Sequence, residues 1–203
     1  MNRPPQNSRR LRQLVATEAA RIMVEEGIQD FRLAKDKALR HLAISGDSQQ
    51  VLPSNAEINA EVEIRLRLFQ GDRQPVLLRQ LREAALQAMD LLADFDPRLV
   101  GSVLEGTATE HSDVNLHLFA DTPESVAFFL MDRGIDYEIG SQHLRFGNNY
   151  RELPSLRFEL GPAAIHCVIF APDEGREAPV SRITGKPMRR ARRKQVEALM
   201  SAE

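Results

Sequence analysis

The chain has no tryptophan, and aromatic residues make up 5% of it, leaving little material for stacking nucleic-acid bases. It has one cysteine, Cys167, so an intramolecular disulfide and a multi-cysteine zinc site are both excluded. Cys167 lies in the apolar run 165–170 and reads as a buried, inert thiol, a usage compatible with a reducing cytoplasm. No apolar run approaches the roughly 20 residues that a membrane span needs. The polar, basic stretch 1–12 lacks the apolar segment of a signal peptide. The expectation is a soluble, cytoplasmic protein with no membrane partner. Charge of one sign is not in excess either. The formal net charge is −2, so the molecule as a whole has no electrostatic pull toward nucleic acid or lipid.

A chain of 203 residues can bury a core without disulfide or metal staples. Leu11, Leu14, Val15, Ala19, Ile22 and Met23 recur at helical spacing and predict a helix over 9–26, with Gly27 as its stop. Leu33, Ala34, Ala38 and Leu42 predict a second over 31–44. Ser54 and Glu57 have the spacing of a capping box ahead of a third over 56–69. Gly71-Asp72 then breaks the chain, and a stripe from Leu77 to Leu92 predicts a fourth helix over 75–95.

After Pro97 the pattern becomes that of strands, at 99–103, 114–120, 137–139, 143–146, 156–160 and 165–170. Thr122-Pro123-Glu124 reads as the start of a helix reaching residue 133. Gly161-Pro162 is a turn that makes the last two strands antiparallel neighbours, and a helix over 188–200 closes the chain. Helices followed by a mixed sheet predict an α+β fold, with a helical region 1–73 ahead of a sheet domain 74–203. The apolar stripes of the first helices can pack on that domain or on a second copy, so a homo-oligomer is left open.

The chemistry concentrates between residues 101 and 116. Gly101-Ser102 ends a strand, and small residues there let backbone N–H groups approach a phosphate closely. Ser112-Asp113 begins the next strand. Alternation places Asp113, Asn115 and His117 on one face and Val114, Leu116 and Leu118 on the other.

This pattern resembles the nucleotidyltransferase superfamily of the DNA polymerase β type, whose hallmark is Gly-Ser, a short loop carrying another glycine, then Ser-Asp-x-Asp on the next strand. Gly101, Ser102, Gly106, Ser112 and Asp113 match in order and spacing, and the order of elements matches over about 77–170. The resemblance implies a nucleotide ligand, Mg²⁺ or Mn²⁺ as cofactor, and transfer of a nucleoside monophosphate from a triphosphate to an acceptor. It assigns Gly101 and Ser102 to the phosphates and Asp113 to catalysis and metal. It implies a third carboxylate on a later strand beside the Asp strand, and Glu159 is the candidate, with Arg157 on its face. A solvated Arg157–Glu159 pair is the equal alternative.

One position departs from the pattern. Asn115 stands where the family has its second metal-binding aspartate. An amide oxygen can join Asp113 and Glu159 around a cation, but it brings no charge to offset two divalent ions. The departure opens a second reading: a catalytically degenerate nucleotide-binding or regulatory module of the same fold.

Other residues carry weaker signals. His117 could extend the set toward Mn²⁺ or Zn²⁺, against a plainer reading as a partly exposed polar histidine. His166 reads as a hydrogen-bonded structural histidine. The acid-free stretch 182–194, with seven basic residues, could meet nucleic acid or form a solvated basic helix, and Lys186 is its candidate phosphate ligand.

Overall fold

The computed structural model describes residues 6–44, 51–69 and 73–201. These form seven α-helices and a five-stranded mixed sheet, an α+β architecture with helices leading. They fall into two compact units, one running to Gln74 and joined by Arg182–Thr184, the other comprising Pro75–Ser181 and the chain from Gly185 onward. Among the described residues no helix is long and apolar enough to cross a membrane.

The first unit is built on α1 (Gln6–Glu25), α2 (Phe31–His41) and α3 (Asn55–Phe69). Val15, Ala19 and Ile22 of α1 are buried with Ala34 and Ala38 of α2 and with Ile58, Val62 and Leu66 of α3. Spacings of three and four align each set along one helix face, and the alanines let backbones approach closely. The capping box forms: Ser54 Oγ accepts from the Glu57 N–H at 3.2 Å, and the Glu57 carboxylate accepts from the Ser54 N–H at 2.6 Å. The second helix stops three residues short of the expected 31–44, because Ala43 takes a left-handed φ of 52° and the chain turns out of the helix. The break expected at Gly71-Asp72 lies outside the described residues.

The second unit runs α4 (Gln74–Leu91), β1 (Arg98–Val100), α5 (Ser102–Glu105), β2 (Val114–Phe119), α6 (Pro123–Met131), β3 (Tyr137–Phe146), β4 (Asn149–Leu160), β5 (Ala163–Phe170) and α7 (Arg193–Ser201). Sheet order is β1-β2-β5-β4-β3, with β2 and β5 parallel and the other neighbours antiparallel. On one face Leu116, Leu118, Ile165 and Cys167 pack with Ala85, Ala88 and Met89 of α4, Val126 and Leu130 of α6, and Val196 of α7. Fully buried among these side chains, the Cys167 thiol is pushed well above its ordinary pKa and stays protonated. The opposite face carries a smaller apolar cluster, including Phe119, Phe146, Val168 and Phe170.

Several expected boundaries move, each for a backbone reason. The first strand, expected over 99–103, ends at Val100, since Gly101 diverts the chain into α5 and buries Val103 and Leu104 in the core. The fourth helix, expected to residue 95, ends at Leu91 and passes into a 3-10 turn at Ala93–Phe95. The strands expected at 137–139 and 143–146 are one strand, and β4 starts at Asn149 rather than 156, because the two form a single hairpin closed by Gly147-Asn148 with Gly147 at φ 56°. The closing helix, expected over 188–200, begins at Arg193. Ala191 instead exchanges two backbone hydrogen bonds with Leu99, at 2.8 and 2.9 Å, on the outer edge of β1. Thr122 caps α6 as expected, accepting from the Ser125 N–H. Gly161-Pro162 joins an antiparallel pair as expected.

Candidate functional site

At the end of β1 the chain turns through Gly101, whose φ of 76° and ψ of −158° suit glycine alone. The four-residue α5 follows and closes on Gly106, in the left-handed region, whose N–H bonds the Ser102 carbonyl at 2.8 Å. Arg82, buried on α4, donates Nε to the Val103 carbonyl at 3.2 Å and braces this turn from beneath. Thr109 and Ser112 then form a second tight turn, with the Thr109 N–H bonded to Ser112 Oγ at 2.9 Å. That turn delivers Asp113 to the start of β2.

The fold thereby brings Gly101, Ser102, Asp113 and Asn115 to one end of the sheet. Asn115 is paired with Val100 on one side and His166 on the other. A Cβ on Gly101 would stand 3.5 Å from Asn115 Nδ2, so the turn passes directly over this side chain. Both ends of the Asn115 amide are engaged. Its Nδ2 donates to the Asp113 carbonyl at 3.1 Å, and its Oδ1 accepts from His166 Nδ1 at 3.2 Å. With Nδ1 as donor, the proton of neutral His166 is fixed there. Burial lowers the pKa of His166, and Arg157 lowers it further against the opposing pull of Asp113.

Arg157 is the centre of the polar face. It lies opposite His166 on β4, and its Nε stands 3.5 Å from Asp113 Oδ2. Its Nη2 is 3.8 Å from Glu159 Oε1, and hydrogen bonding to Asp113 raises its pKa above the ordinary value. Glu159 is exposed and is separated from the Asp113 row by Ala164 of β5, its partner in the ladder. Its strand is not the neighbour of β2, as the sequence led one to expect, because β5 is inserted between them. On β5 the residues that alternate onto this face are Ala164, His166 and Val168, none of them acidic.

A pair of Mg²⁺ or Mn²⁺ ions does not fit this donor set. Such hard cations want several oxygen ligands with net negative charge. Here one carboxylate is engaged by a guanidinium, and the neighbouring amide oxygen is turned to a histidine. Among the described residues, no three His, Cys, Asp or Glu side chains gather as they do around a metal ion. Glu138, opposite Arg157 on β3, adds a third carboxylate to the surroundings of one guanidinium.

His117 is not the partly exposed residue its position suggested. It is buried and lies against Phe170, with ring centroids 4.6 Å apart and planes tilted by 46°. Its Nδ1 accepts from Arg190 Nε at 3.0 Å, and burial, reinforced by the Arg190 charge, pushes its pKa down to about 3. Arg190 lies over the rings of Phe119 and Phe170 at 5.2 and 4.7 Å, and its Nη1 donates to the carbonyls of Gly175 and Glu177 at 3.2 and 3.0 Å. Its Nη2 is buried without a hydrogen-bond acceptor, and the two ring faces are what it has instead. The basic stretch is thus partly structural. Arg190 points inward, Arg189 stands 3.6 Å from Glu105, and Arg193 grips the Asp90 carboxylate at 2.5 and 3.1 Å. Lys186 belongs to a loop tied through Ser181 and Val180 to the Arg145 carbonyl. Arg145 lies seven residues along β3 from Glu138, so this loop is anchored away from Asp113.

The sequence contained a sign of Arg157. Alternation in 156–160 sets it on the polar face with Glu159, but pairing to Asp113 depends on strand order, which no local pattern reveals. Comparison of the chain with protein-family models, with curated proteins and with solved structures finds no match.

Proposed function

We propose that the chain is a nucleotidyltransferase-like module that does not carry out metal-dependent transfer, and that it serves as a binding or regulatory module of that build. The observation that carries this reading is the Arg157 guanidinium, 3.5 Å from Asp113 and 3.8 Å from Glu159, a cation among the carboxylates that a metal would need. Asn115 supports it, since its amide is engaged by His166 and by the Asp113 backbone. The glycine turn at Gly101 and the position of Asp113 beside it support the likeness to the nucleotidyltransferase arrangement.

The test is a transfer assay with each ribonucleoside triphosphate and Mg²⁺ or Mn²⁺, run beside calorimetric titration of the same nucleotides. The expected result is no transfer and no strengthening of nucleotide binding by metal. Metal-dependent release of pyrophosphate that Asp113→Ala abolishes would overturn the reading and restore the active transferase.

A further inference from the structure

The sheet ends at β3, which has a neighbour on one side only. Two observations fix which backbone groups face outward along it. The Val180 N–H bonds the Arg145 carbonyl from outside the sheet, so Arg145 faces out. On β4, ladder pairing with β5 stops at Ser155, next to Pro154, which has no N–H to give to β5. Pro154 is opposite Ser141, so Ser141 too is a residue whose backbone turns away from β4. Alternation then sends the N–H and C=O of residues 137, 139 and 141 outward.

Short of the Arg145 end, which Val180 covers, this edge has few of the usual protections, and Glu138 is its one charge over 137–142. Residues 137–142 contain no lysine and no proline, and the register with β4 runs without a bulge. Ile139 projects from the core face of the sheet, opposite Leu156, yet is 77% exposed. An apolar side chain on that face with so little cover points to something laid beside it.

We propose that the open edge of β3 pairs with the same edge of a second copy of this chain, antiparallel about a two-fold axis at Gly140. A two-fold axis normal to the sheet keeps each face on its own side, so residues pair when their numbers share parity. Centred on Gly140, Ile139 meets Ser141 of the second copy and lies diagonal to the other Ile139. Glu138 meets Gln142, a carboxylate opposite an amide, and no like charges face each other in this stretch. Gly140 has no side chain at the non-hydrogen-bonded position where strands approach most closely, about 4.5 Å between Cα atoms. The result is a continuous ten-stranded sheet across the pair.

Sedimentation equilibrium of the full chain tests this, since a dimer has twice the 22.9 kDa of one copy. Wild type is expected to dimerise. Gln142→Glu, which sets carboxylates opposite Glu138, weakens the dimer roughly two- to tenfold, and Gln142→Lys strengthens it by a similar factor. Ile139→Lys abolishes it. Circular dichroism of the Gln142 variants confirms that the monomer fold is kept. A chain that stays monomeric at all concentrations overturns the proposal and leaves an extended segment of another protein as the occupant. A dimer indifferent to both Gln142 substitutions overturns the edge as its interface.

Discussion

Arg190 is a half-buried cation received by neutral partners: an imidazole nitrogen, backbone carbonyls and two aromatic faces. Burial lowers its pKa to about 10, with the nearby Arg98 adding to the effect, so it remains charged at neutral pH. The planar fork of guanidinium matches these partners in a way an ammonium cannot. Arg190→Lys is therefore expected to cost about 1–3 kcal/mol in urea unfolding, since His117 and the carbonyls lose their donors. A change below about 0.5 kcal/mol, typical of a surface substitution, would contradict the arrangement. His117 adds a pH dependence. Its folded pKa of about 3 lies below the ordinary 6.5, so between these values the unfolded chain binds a proton that the folded chain refuses. Stability from this group is present above about pH 6.5 and is lost as pH falls toward 3. His117→Gln keeps an acceptor for Arg190 and removes the titration, so its unfolding free energy is expected to fall less steeply over that window. Identical slopes for the two proteins would count against a buried neutral imidazole.

At the scale of elements, the turn from β1 into α5 is the most constrained backbone of the site. Gly101 occupies a region that side chains avoid, so the cost of a side chain there is backbone strain, an added Cβ making only ordinary van der Waals contact with Asn115 at 3.5 Å. Gly101→Ala is expected to destabilise by about 1–3 kcal/mol, read from denaturant midpoints, and to disturb the Asn115–His166 contact seen in histidine NMR shifts. A neutral substitution would mean the turn is not held as described. This element also shows what a sequence can announce. Glycine at 101 and 106, the cap at Thr122 and the box at Ser54 and Glu57 are local signals, and the chain obeys them locally. The start of α7 was not legible, because the Leu99–Ala191 bonds that replace its first turn join residues far apart in sequence. The length of the β3–β4 hairpin was legible in part. Gly147-Asn148 is a turn signal, but the polar residues around it masked the alternation.

For the whole molecule, the order β1-β2-β5-β4-β3 decides what the polar face can do. Placing β5 beside β2 puts Ala164 and His166 next to the Asp113–Asn115 stretch and sets a strand between that stretch and Glu159, with the Arg157 guanidinium near both carboxylates. Gly101, Ser102, Asp113 and Asn115 were legible as neighbours, because one turn and one strand bring them together. Arg157 and His166 come from strands brought in by long-range pairing, so their roles emerge only in three dimensions. In the proposed reading Arg157, rather than a divalent ion, faces the Asp113 carboxylate. Electron paramagnetic resonance of Mn²⁺ titrated into the protein tests it most directly, because bound Mn²⁺ loses the sharp signal of the free ion. The expected result is a free-ion signal undiminished by wild-type protein at neutral pH. Loss of that signal in proportion to protein, abolished by Asp113→Ala, would contradict it.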